Sequence, residues 1–147
     1  MITVDIQYAT ESKTLPTAAE LRLWVEQALN DYAKDTAVTL RIVDIAEMTQ
    51  LNLYYRGKNK PTNVLSFPYE ENFAEEKLLG DIVICAPVVL AEAQEQQKPW
   101  QAHWAHLVVH GCLHLVGFDH EEENQAQIME SLEVKLLAGL GFPDPYT

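Results

Sequence analysis

The chain has 147 residues, 48% of them hydrophobic, which suits one domain (1–147) with one core and excludes a disordered polymer. A net charge of −12 excludes the basic field that indiscriminate nucleic-acid binding needs. No apolar run reaches the roughly eighteen residues of a membrane span, and no basic-then-apolar leader opens the chain, so the cytoplasm is the expected setting.

Residues 2–8 alternate apolar and polar and predict a strand with one buried face. Thr17 and Glu20 fit a capping box, and Leu21, Trp24, Val25, Ala28, Leu29 and Tyr32 recur at helical spacing after it. A second strand is expected over 37–43, with Val38, Leu40 and Ile42 on one face. Asp44 is expected to cap a second helix, with Glu47 in the matching box position. Ile45, Met48, Leu51 and Leu53 or Tyr54 would form its stripe, ending near Arg56 and Gly57.

Residues 62–67 read as a short strand closed by Pro68, and 69–77 as an acidic surface loop or ribbon. Residues 78–85 read as a covered strand, with Ile82 and Ile84 on one face and Val83 and Cys85 on the other. Pro87 suits the first turn of a helix running to about Gln97. Pro99 can start the next helix, apolar all round and therefore buried. The last helix is expected over about 121–140, with Ile128, Leu132, Leu136 and Leu140 inward and Glu121, Glu122 and Glu123 at its positive end. Early strands and late helices predict an α+β fold: a small mixed four-stranded sheet covered by about five helices. The cysteines, Cys85 and Cys112, sit in apolar surroundings and read as buried reduced thiols.

The chemistry concentrates in H-G-C-L-H-L-V-G-F-D-H, His110 to His120. His110 and His114 are four apart and share one helix face. Gly117 can take the left-handed conformation that ends a helix and turns His120 back. About 100° of rotation per residue also puts His103 and His106 with them in roughly an 80° sector. Three imidazoles suit one Zn²⁺ ion and leave a fourth position open, as in a catalytic site. The metal site would thus lie on the penultimate helix and the loop after it. Metzincin proteases share the spacing H-x-x-x-H-x-x-G-x-x-H, but carry the general base Glu after the first His. Here that position is Gly111, so the ligand set is kept and peptide hydrolysis is not supported. Cys112 lies opposite the histidines. Asp119 is an acceptor for an imidazole N–H, a base for metal-bound water, or a helix-capping residue. His106 and His103 line the pocket, support a ligand from behind or fill the core, and the first two are favoured, with His106 expected behind a ligand.

A second feature is electrostatic. Only 10 residues are Lys or Arg against 22 Asp or Glu, yet Arg56, Lys58 and Lys60 cluster, and no acid occurs from Leu51 to Tyr69. This is either a local basic patch or a solvated loop.

The His110–His120 motif, the stretch L-N-L-Y-Y-R-G-K-N-K-P-T-N-V-L-S-F-P at 51–68 and G-D-I-V-I-C at 80–85 together resemble the YbeY family of bacterial rRNA maturation factors. That family usually has Asp where this chain has Asn63, which argues that no carboxylate is required there. The resemblance implies a metal-dependent single-strand endoribonuclease of 16S rRNA 3′-end processing and ribosome quality control. It implies one ion, usually zinc, on His110, His114 and His120, with His110, His114 and Arg56 in catalysis. It also implies rRNA, ribosomal particles and ribosomal proteins as partners, with Arg56 contacting a phosphate. Lys58 and Lys60 would hold flanking phosphates, and Ser66 and Phe67 are either cleft residues or ordinary strand residues. A hydrolase of another small substrate, or an assembly factor with a structural metal, are the competing readings.

Overall fold

In the computed structural model, residues 1–69 and 77–147 are described. The order is β1 (Thr3–Ala9), α1 (Ala18–Leu29), β2 (Thr36–Val43), α2 (Ile45–Arg56), β3 (Val64–Pro68), β4 (Lys77–Cys85), α3 (Ala86–Glu95), α4 (Trp100–Leu115) and α5 (Glu123–Gly139). The acidic stretch expected at 69–77 falls mostly on 70–76, outside the described residues. The four strands form one mixed sheet in the order β1-β2-β4-β3; β1, β2 and β4 run parallel and β3 antiparallel. The fold is the expected α+β class. No helix of the described residues is long and apolar enough to cross a membrane.

Alternation along the strands sorts two cores. Val38, Leu40, Ile42, Ile82 and Ile84 meet α1 and α4 on one face, around the fully buried Trp104. Val43, Leu65, Val83 and Cys85 meet Met48 of α2 on the other. β4 is therefore covered on both faces, which its run of apolar residues required. Among the described residues β3 pairs on one side only, with β4, and so forms an edge of the sheet.

Helix ends follow local chemistry in part. Thr17 Oγ1 accepts from the Glu20 N–H at 3.1 Å while Glu20 accepts from the Thr17 N–H at 2.9 Å, the expected capping box. At α2 the box does not form. Asp44 holds the N-cap position, but its carboxylate accepts from the Thr10 hydroxyl and the Glu11 N–H. Glu47 instead takes a two-pronged ion pair with Arg41 of β2, at 2.7 and 2.9 Å. A guanidinium fork competes well with a single backbone N–H.

Two helix stripes also differ from expectation. On α2, Ile45, Leu53 and Tyr54 are exposed, and Met48 and Asn52 are buried. On α5, Ile128 is exposed and the buried row is Met129, Glu133 and Leu137, flanked by Leu132, Leu136 and Leu140. The shift is one residue. It was hidden because the centre of the true row is a glutamate.

Candidate metal centre

α4 packs against α1, α3, α5 and the β3–β4 side of the sheet. Its end is a Schellman motif: the Gly117 N–H donates to His114 O at 3.1 Å and the Phe118 N–H to Leu113 O at 3.0 Å, with Gly117 at φ 100°. Asp119 Oδ1 then accepts the His120 N–H at 2.7 Å, fixing the return of the chain. So a helix supplies His110 and His114, and a tied turn supplies His120.

The three rings converge. Their centroids lie 4.6 Å apart for His110 and His114, 5.4 Å for His110 and His120, and 5.0 Å for His114 and His120. His110 Nε2 and His114 Nε2 are 3.1 Å apart, and one nitrogen from each of the three falls within 4.8 Å of the others. A tetrahedral ion with bonds of about 2.0–2.1 Å separates its nitrogens by roughly 3.4 Å, so the donor set fits such an ion. Burial, then the neighbouring His110 and His120, hold the His114 imidazole below its ordinary range, which leaves it neutral with a lone pair to give.

Gly111 is explained by packing. A Cβ there would meet Ile82 Cγ2 at 3.0 Å and Ser66 Oγ at 3.2 Å, and the Ser66 hydroxyl donates to Gly111 O at 3.2 Å. The position where a metzincin carries its base is pressed against the sheet, away from the three imidazoles. Ser66 thus lies on the α4 side of β3, while Phe67 packs on the opposite face with the Met48 core and Tyr55.

A cleft of about 720 Å³ opens over the histidines, along β3. Arg56 lines it, as do Asn63, Ser66, Asp119 and Glu121. Lys58 and Lys60 are exposed and outside its lining. Their loop is anchored from within: buried Asn52 donates its side-chain N–H to Lys60 O at 2.8 Å. Gly57, at φ 71°, caps α2 just before them.

The four histidines on one helix face divide into separate tasks. His103 Nε2 lies 2.9 Å from Glu92 Oε1, and Asn63 donates to the same carboxylate at 3.1 Å. Burial raises the Glu92 carboxyl, but the bonds from His103 and Asn63 outweigh it and the net shift is downward. His106 Nε2 is 2.6 Å from Glu133 Oε1, which also accepts from the Tyr146 hydroxyl at 2.6 Å. The other oxygen, Glu133 Oε2, is 3.2 Å from His110 Nδ1. Glu133 is fully buried. Burial pushes its carboxyl up, yet hydrogen bonds from His106, His110 and Tyr146 prevail and hold it down at about 2. Both cysteines are buried free thiols, pushed up by burial, and neither belongs to the centre.

Glu133, Tyr146 and Glu92 were not singled out by the sequence. The one available signal was a glutamate four residues from both Met129 and Leu137, inside an apolar row.

The family described as Endoribonuclease YbeY matches residues 5–141. Among solved structures, the solution structure of TM1509 from Thermotoga maritima is similar, at 25% identity and a TM-score of 0.62, over 96% of this chain and 92% of that one.

Proposed function

The chain belongs to the YbeY endoribonuclease family, and from that premise we propose that it is a zinc-dependent single-strand endoribonuclease of rRNA maturation. Its action would be 16S rRNA 3′-end processing and ribosome quality control in the cytoplasm, with rRNA and ribosomal proteins as partners and residues 1–147 as one hydrolase domain. The observation that carries the reading is one cleft lined by three convergent imidazoles and a guanidinium, with no carboxylate in the protease-base position.

His110, His114 and His120 would hold one ion. When bound, the ion supplies Lewis acidity, polarising a phosphoryl oxygen and acidifying water. Arg56 would present two parallel N–H donors to the scissile phosphate and balance the charge that builds on it. Asp119 holds the His120 loop closed through the His120 N–H. Lys58 and Lys60, outside the cleft, would grip flanking phosphates of a strand leaving it. An acidic molecule with one basic corner favours engagement at that corner alone. Three nitrogen ligands beneath an open cleft favour a catalytic ion over a structural one, which is normally closed and thiolate-rich.

The test compares wild type, His114→Ala and Arg56→Ala on an rRNA fragment carrying the 3′ end. Loss of cleavage in both folded variants supports the reading. Equal cleavage by all three proteins overturns it.

A further inference from the structure

Beneath the three ligands lies a buried carboxylate whose bonding the family match leaves unassigned. Glu133 receives His106 Nε2 and the Tyr146 hydroxyl at Oε1, both at 2.6 Å, and faces His110 Nδ1 at 3.2 Å with Oε2. An ionised carboxylate only accepts, so a ring nitrogen bonded to it must carry the hydrogen. From this geometry we propose that Glu133 is a positioning residue that fixes the tautomer of His110, with the hydrogen on Nδ1 and the lone pair of Nε2 turned toward His114 and His120.

Two observations support the assignment. First, His110 Nε2 is the nitrogen that faces His114 Nε2, at 3.1 Å, so the hydrogen must sit on the other side for both rings to bind one ion. Second, the division of labour at the carboxylate is unequal. His106 and Tyr146 share Oε1, and Tyr146 also lies 3.2 Å from His106 Nε2, which leaves Oε2 to His110. His106 and Tyr146 hold the carboxylate from one side, and the carboxylate holds the ring from the other. Metal-bound histidines commonly have such a partner, and losing it typically costs about 10–100-fold in metal affinity.

His106, His110 and Glu133 also lie close enough together to suggest a second ion. The separation argues otherwise. A 2.6 Å gap between His106 Nε2 and Glu133 Oε1 is that of a hydrogen bond. Two ligands of one tetrahedral ion stand roughly 3.4 Å apart.

The inference rests on the reading of His110, His114 and His120 as metal ligands, so its test measures metal alone, without RNA. Zn²⁺ affinity is measured by chelator competition for wild type, Glu133→Met, Glu133→Gln and His114→Ala. Long-range ¹H–¹⁵N correlation on the metal-free wild type reads which nitrogen of His110 carries hydrogen. The expected order of affinity is wild type, then Glu133→Gln, whose carbonyl oxygen still accepts, then Glu133→Met, lower than wild type by about 10–100-fold. The expected spectrum shows hydrogen on His110 Nδ1. Equal affinity in wild type and folded Glu133→Met, hydrogen on Nε2 in wild type, or two ions per chain each overturn the inference. Should a substitution at 133 prevent folding, the wild-type spectrum still decides. If wild type binds no more tightly than His114→Ala, the ligand reading itself has failed.

Discussion

Glu133 Oε2 lies 3.2 Å from His110 Nδ1, so a fully buried carboxylate on α5 grips one of the two imidazoles that α4 presents to the cleft. The pair joins the two last helices at the point where the site is built. Its consequences reach stability as well as the proposed metal site.

The first concerns acid. The Glu133 carboxyl sits at about 2 in the folded chain, against about 4.3 for an exposed glutamate. A depressed folded value means that the stabilisation is present above the unfolded value and is lost as pH falls from there toward 2. The amount is on the order of 3 kcal/mol. In metal-free protein, urea unfolding at pH 7 and pH 3 should show a steeper loss for wild type than for Glu133→Gln. Parallel losses would contradict this.

A second prediction concerns Gly111. Its hypothetical Cβ stands 3.0 Å from Ile82 Cγ2 and 3.2 Å from Ser66 Oγ. Gly111→Ala should cost about 1–3 kcal/mol by overpacking, read as a lower urea midpoint. Gly111→Glu, which restores the metzincin pattern, should fail to fold stably and gain no peptidase activity.

A third follows from Asn63. Its side-chain N–H donates to Glu92 at 3.1 Å, while His103 bonds the same carboxylate at 2.9 Å. Asn63→Asp would set two carboxylates against each other, so one must protonate or the pair must part. Thermal unfolding at pH 8 should show a loss of about 1–3 kcal/mol, the scale of a lost hydrogen bond to a charged group. Adding Glu92→Gln should restore most of it. An Asn63→Asp variant as stable as wild type would sink this account of Asn63.

These residues also mark where the sequence was legible. His110 and His114 lie one helical turn apart and His120 follows a glycine turn, so local spacing alone displays the three converging histidines. The alternation of Val38, Leu40 and Ile42 displays the sheet face for the same reason. Glu133 is 23 positions from His110 and Glu92 is 11 from His103, and only the folded chain brings them together. A charged residue also reads as solvent-facing unless its partners are known, which displaced the α5 stripe by one residue. Asp44 and Glu47 failed for a related reason: a local cap lost to Thr10, Glu11 and Arg41, bonds that need the sheet to be assembled. Arg56 was visible as part of an acid-free stretch, but its place in the cleft wall depends on how α2 ends beside β3.

The central claim is that one ion on His110, His114 and His120 makes this protein a ribonuclease. The most direct test strips the protein of metal, verifies the loss by mass spectrometry, and returns Zn²⁺ in steps while cleavage of an rRNA fragment is followed. Cleavage should be absent without metal and rise to a plateau at one equivalent for wild type, and stay absent for folded His114→Ala at the same additions. Full cleavage by verified metal-free wild type would contradict the account.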